Sequence, residues 1–153
     1  MRKMLTLLVW LTLASCAPVS SPALATYAVH HITFSPGGSI GKFIKDYIEL
    51  KERGTKVVID GMCISACTLL LGIVPNEQVC ITPYAQMGFH SATDGDTEKY
   101  DKQATRVIWH LYPARVREIL IAKGWDGDGD KEHPDLIYVE HDELKEFYKE
   151  CAS

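Results

Sequence analysis

Residues 55–72, TKVVIDGMCISACTLLLG, constrain the fold more than any other stretch. TKVVID is β-branched and carries no apolar–polar alternation, the pattern of a strand buried in a parallel sheet. From Ser65 to about Ile73 the chain stays apolar and reads as a short helix. A strand that runs directly into a helix is half of a βαβ unit, and a parallel sheet needs such units to connect its strands. At the join stands a lone serine, Ser65, with small or thiol side chains around it.

The rest of the chain repeats the alternation. Residues 26–34, TYAVHHITF, form a β-rich run closed by SPGGS. Ile40, Phe43, Ile44, Tyr47 and Ile48 then recur at helical spacing until Gly54 stops them. Residues 78–82, QVCIT, predict a third strand, and residues 85–90, AQMGFH, a fourth or its continuation. Residues 97–123 are helical in pattern, with a break near Pro113. Residues 135–139 are a short extended run, and HDELKEFYKE predicts a closing helix. The expectation is one α/β domain with a mostly parallel sheet. With 153 residues and 46% hydrophobic composition, the chain has enough apolar material for one core. Its formal net charge of −4, without a basic stripe, argues against nucleic acid as a partner.

Residues 1–25 have the layout of a secretory signal, so the domain is expected to span residues 26–153. Arg2 and Lys3 precede a short apolar run that is too short to cross a bilayer. The run closes on LASC, which has the form of a lipobox, so Cys16 is the expected lipidation site. ALA at residues 23–25 is the alternative cleavage site. A processed lipoprotein stays on the membrane, because several acyl chains exceed the one that anchors only marginally.

Export implies an oxidising compartment. Cys63, Cys67, Cys80 and Cys151 then allow two disulfides in three connectivities, and the sequence leaves the choice open. Their spacing lacks the paired C-x2-C units of a zinc site. DGDGDKEH, residues 126–133, lacks the glycine and the closing acid of a calcium loop and reads as a solvated acidic loop. No metal and no cofactor is expected.

Two strand-to-helix joins carry candidate chemistry. In a parallel sheet the functional crevice lies beyond the carboxyl ends of the strands, which brings SPGG and GMCISAC together. Gly37 and Gly38 permit a sharp turn that exposes backbone N–H groups. Ser65 opens a helix, whose free N–H groups favour negative charge. A nucleophile flanked by backbone donors suits an anionic tetrahedral intermediate. The bland alternatives are a serine helix cap and a Pro-Gly-Gly turn. His90, 25 residues after Ser65 at the end of the next strand unit, favours the catalytic reading. His30, His31, His110, His133 and His141 have no such placement and read as structural or solvated.

In this order and spacing, SPGGS, SACTLLLG and CITPYAQMGFHSA resemble the ClpP-type serine peptidases of the ClpP/crotonase superfamily, and more closely the exported, periplasmic ClpP-like proteins of bacteria. The resemblance covers residues 32–92 and, more weakly, 135–147. It implies a ClpP-like fold and a serine hydrolase cleaving peptide bonds in the envelope. Ser65 matches the nucleophile and His90 the general base. Asp135 matches the orienting acid, and the backbone N–H groups of Ala66 and of Gly37 or Gly38 match the oxyanion hole. Residues 97–123 correspond to the family's handle, which mediates subunit contacts and implies a homo-oligomer. The resemblance also implies a sheet shortened at its N-terminal side, because the family has further strands and a helix before the Pro-Gly-Gly strand. A non-catalytic ClpP-like lipoprotein serving as a binding or assembly module is the alternative, and a crotonase-like thioester enzyme a third. Cys63 and Cys67 are poorer nucleophiles, since an oxidising compartment tends to pair them.

Overall fold

The computed structural model describes residues 28–125 and 131–152. The leader with Cys16 and the alternative cleavage site at residues 23–25 lie outside the described residues, as do residues 126–130 of the acidic loop.

The sheet is organised around β2 (Lys56–Ile64). Along one edge it pairs in parallel with β1 (Val29–Ser35) over nearly its whole length. Along the other edge, β3 (Val79–Ile81) pairs with its first half and β4 (Gln86–Phe89) with its second, both parallel. A turn with the Ala85 N–H donating to the Thr82 carbonyl joins these two strands, so they run one after the other beside β2. An outer lane follows. β5 (Ile137–Glu140) pairs antiparallel with β4, and the two-residue β6 (Lys149–Glu150) pairs parallel with β3. The protein is thus α/β with a mostly parallel sheet, as expected, with β5 as the antiparallel member.

The helices cover this sheet. Ser39 caps α1 (Ile40–Glu52), its side chain accepting from the Lys42 N–H, and Gly54 ends the turn behind it at φ 63°. The helix lays Phe43, Ile44, Tyr47 and Leu50 on the core. After β2, one 3-10 turn over Ser65–Leu69 leads into the single-turn α2 (Leu70–Ile73). α3 (Lys102–Leu111) and α4 (Ala114–Ala122) flank Pro113 and bury Ile108, Trp109, Val116 and Leu120. Trp125 stacks between Trp109 and His133, with ring centroids 5.6 and 5.3 Å away. α5 (His141–Leu144) is one turn long.

Three expectations are corrected. The second strand does not stop at Asp60 but continues to Ile64. Gly61 permits this, since a Cβ there would lie 1.9 Å from the Thr33 carbonyl oxygen, and β1 shifts register between Ile32 and Phe34. The helical stretch expected from Thr97 begins at Lys102, because Asp94 draws residues 94–97 into a turn and Asp101 caps the helix through the Ala104 N–H. The closing helix ends at Leu144 rather than Glu150, because the chain must extend to pair with β3 and reach Cys80.

The four cysteines form two disulfides, Cys63–Cys67 and Cys80–Cys151. They differ in what they close. The chain-entropy model gives about 4 kcal/mol for a loop the size of Cys80–Cys151 and only about 2 kcal/mol for one the size of Cys63–Cys67. Among the described residues no helix is long and apolar enough to cross a membrane.

Candidate active site

β2 leaves the sheet at Ile64, which is still extended at φ −115° and ψ 149°. Ser65 then turns the chain at φ 57°. A non-glycine residue in the left-handed region costs on the order of 1–3 kcal/mol and persists only where its surroundings impose it. Such a sharp strand-to-helix turn is how a nucleophilic serine is presented at the edge of an α/β sheet.

Gly37 is part of what surrounds it. At φ 90°, its hydrogen-only side leaves room that a Cβ would fill at 2.6 Å from Ser65 Cβ and 2.7 Å from the Ile64 carbonyl oxygen. The Pro-Gly-Gly turn is therefore pressed against the serine turn. Gly37→Ala should destabilise the protein by about 1–3 kcal/mol, through left-handed backbone strain and overpacking. It should also suppress any reactivity of Ser65. Denaturation and fluorophosphonate labelling measure the two, and an alanine variant with normal values for both would refute the close packing.

Gly38, Ser65, Ala66 and His90 line one cavity of about 650 Å³. The sheet register explains the meeting. Ile64 pairs with Gly88, so Ser65 leaves β2 where β4 runs out towards His90 two residues later. Leu69, Ile108 and Tyr112 give the cavity an apolar side, and among the described residues Asp94 and Asp101 are the carboxylates that line it. Asp94 is held below the usual carboxylate range, first by the Thr97 hydroxyl and then by the backbone N–H groups of Thr97 and Asp96.

Below the serine lies a buried hydroxyl pair. The Thr68 hydroxyl donates to the Ser65 carbonyl at 2.6 Å and lies 2.7 Å from the Tyr112 hydroxyl. Burial pushes the Tyr112 phenol well above its ordinary value, partly offset by the bond to Thr68, so it keeps its proton. Sequence reasoning missed both residues. Their signal is a polar residue inside the apolar run SACTLLLG, which a lone threonine makes faint.

Asp135 lies apart from the cavity. It is exposed, in the segment before β5. That segment is tied to the strand end beyond His90: the Ser91 N–H donates to the His133 carbonyl, and the His133 N–H to the Ser91 hydroxyl. The last pair of the β4–β5 ladder is Phe89 with Ile137, and beyond it Ser91 faces His133 rather than Asp135. No side-chain hydrogen bond joins Ser65, His90 and Asp135 in this structure, and catalytic hydrogen bonds often tighten only when substrate is bound. The two candidate thiols, Cys63 and Cys67, are joined to each other. No group of three or more metal-ligating side chains is gathered among the described residues.

No family model matches the chain. No curated protein matches it either. Among solved structures it is similar to a point mutant of ClpP1 from Listeria monocytogenes, at 20% sequence identity and a TM-score of 0.47, covering 78% of this chain and 68% of that one.

Proposed function

We propose that the protein is a ClpP-like serine hydrolase that cleaves peptide bonds. One observation carries the reading: Ser65 turns at φ 57° against Gly37 and shares its cavity with His90. A serine serving only as a helix cap would have no need of that backbone conformation.

The chemistry follows from these groups. Ser65 Oγ attacks the carbonyl carbon of the peptide as its proton passes to His90. The oxygen that becomes negative is received by the N–H groups of Ala66 and Gly38, which line the cavity; Gly37 is the one that packs beneath the serine. Collapse of the intermediate breaks the C–N bond, and His90 returns the proton to the departing amine. Water, deprotonated by His90, then releases the acyl group from Ser65. Asp135 is the acid assigned to steady the imidazolium, in the chain order Ser, His, Asp.

The role of Asp135 has a direct rival in Asp101, a carboxylate on the cavity wall. Asp135→Asn should leave the fold intact and lower kcat by a factor on the order of 10³–10⁴, with Asp101→Asn far milder. The opposite ranking in steady-state kinetics would transfer the role to Asp101.

Site of action belongs to the same proposal. Two disulfides favour an exported protein, and a lipidated Cys16 would hold it in the periplasm on the membrane. Exposed Val107 and Ile121, on the two handle helices, favour a homo-oligomer. The deciding experiment on function is labelling of the intact protein with a fluorophosphonate, followed by mass spectrometry of the adduct. Covalent modification at Ser65 is the expected result. Folded protein that takes no label and cleaves no peptide would leave the binding-module alternative in its stead.

A further inference from the structure

We infer that the Cys63–Cys67 disulfide and the Thr68–Tyr112 hydroxyl pair are positioning devices for Ser65, holding it in the conformation from which it attacks. This rests on the hydrolase reading for its consequence in catalysis, but its structural content can be measured separately.

The bridge closes a five-residue ring, CISAC, with Ser65 at its centre. Both ends of the ring are anchored. Cys63 is fully buried in β2, paired with β1 on one side and β4 on the other. Cys67 is fully buried in the 3-10 turn, where the Tyr47 hydroxyl donates to its carbonyl at 2.8 Å. A ring this short restrains the unfolded chain least of the two disulfides. Its effect is concentrated on the dihedrals inside it, and the unfavourable one among these is that of Ser65.

The hydroxyl pair acts on the same residue from beneath. The Thr68 hydroxyl has one hydrogen, which goes to the Ser65 carbonyl. It must then accept from Tyr112, so the order is Tyr112 to Thr68 to Ser65. Thr68 is fully buried and Tyr112 nearly so, which makes each unmade bond costly. Further along, Gly72 lets the α2 turn sit directly on the Leu111 carbonyl, where a Cβ would come within 1.8 Å. The α2 turn, which directly follows the 3-10 turn carrying Thr68, is thereby locked to the end of α3, next to Tyr112. Two independent devices, one covalent and one polar, fix the backbone on either side of a strained serine.

The test compares the Cys63→Ala/Cys67→Ala protein with Cys80→Ala/Cys151→Ala, each at a temperature where it is folded. Native-state amide exchange reads the backbone without reference to activity. Exchange at residues 65–68 should accelerate at least tenfold when the short bridge is absent and stay near wild type when the long one is. Fluorophosphonate labelling and kcat should fall at least tenfold in the first variant, with KM changed less than threefold, and stay within twofold in the second. Thr68→Val should slow labelling three- to tenfold, Thr68→Ser should restore it, and Tyr112→Phe should resemble the valine variant. Unchanged exchange at residues 65–68 without the short bridge would overturn the proposal, as would Thr68→Val equalling Thr68→Ser in both exchange and labelling. If wild-type protein takes no label at all, the hydrolase reading fails, while the exchange data still decide whether these groups fix the backbone of Ser65.

Discussion

Ser65→Ala and His90→Ala each remove nearly all peptide hydrolysis, and the double variant is scarcely worse than either: this is the result the site leads us to expect. The reasoning is chemical. Without the serine oxygen there is no acyl intermediate, and without the imidazole the serine hydroxyl keeps its proton, so each loss disables the same step. Groups that act as a unit give strongly non-additive losses, up to about 10⁶ in kcat for a serine–histidine pair. A remainder on the order of 10³–10⁴ above the rate in water should survive from the backbone donors of Gly38 and Ala66 and from substrate binding. Single-turnover kinetics on the three variants, with circular dichroism to verify folding, measure the effect. Losses that multiply would mean that the two residues act in separate steps. A Ser65→Ala variant with full activity would remove the serine from the mechanism altogether.

The largest effect on stability should come from the other end of the chain. Removing the Cys80–Cys151 bridge in the Cys80→Ala/Cys151→Ala variant should cost about 4 kcal/mol and lower Tm by on the order of 10 °C. The bridge closes 71 residues of sequence separation, and the contacts beside it are slight. β6 offers only two paired residues, Lys149 and Glu150, and the Cys151 N–H adds a bond to the Ile81 carbonyl. Leu144 and Tyr148 supply most of the burial nearby. Thermal and denaturant unfolding of the oxidised wild type and the double variant provide the comparison. A loss below about 1 kcal/mol would show that Leu144 and Tyr148 hold the C-terminal segment by packing and that the entropic argument fails for this loop.

What the sequence made legible follows its strong periodicities. The helix beginning at Ile40 has an apolar stripe and a glycine stop, and it lies where these signals put it. The buried strand and the serine turn were readable because β-branched residues gave way abruptly to small ones. The length of β2 was not, since Gly61 ordinarily punctuates a strand, and only the approach of the Thr33 carbonyl explains why it continues. HDELKEFYKE has helical composition, yet one turn forms, because a disulfide spanning 71 residues and the strand pairing beside it override local preference. At the site, Ser65, Gly37, Gly38 and His90 were marked by their places at strand ends. Thr68 and Tyr112 were not, since their partnership spans 44 residues and nothing local to either residue marks the other.

β1 has a consequence of a different kind. Among the described residues it pairs with β2 alone, and its seven residues include no Lys, Arg, Asp, Glu or Pro. Val29 and Phe34 are among the most exposed large apolar residues described. Its outward rim is a row of peptide donors and acceptors with none of the charges that natural sheets use to repel a neighbour. Only the register shift near Thr33 breaks the flatness of that rim. Association of the protein in concentrated solution is therefore expected to depend on this boundary, far from the cavity, and on how well one irregular residue discourages strands from joining edge to edge.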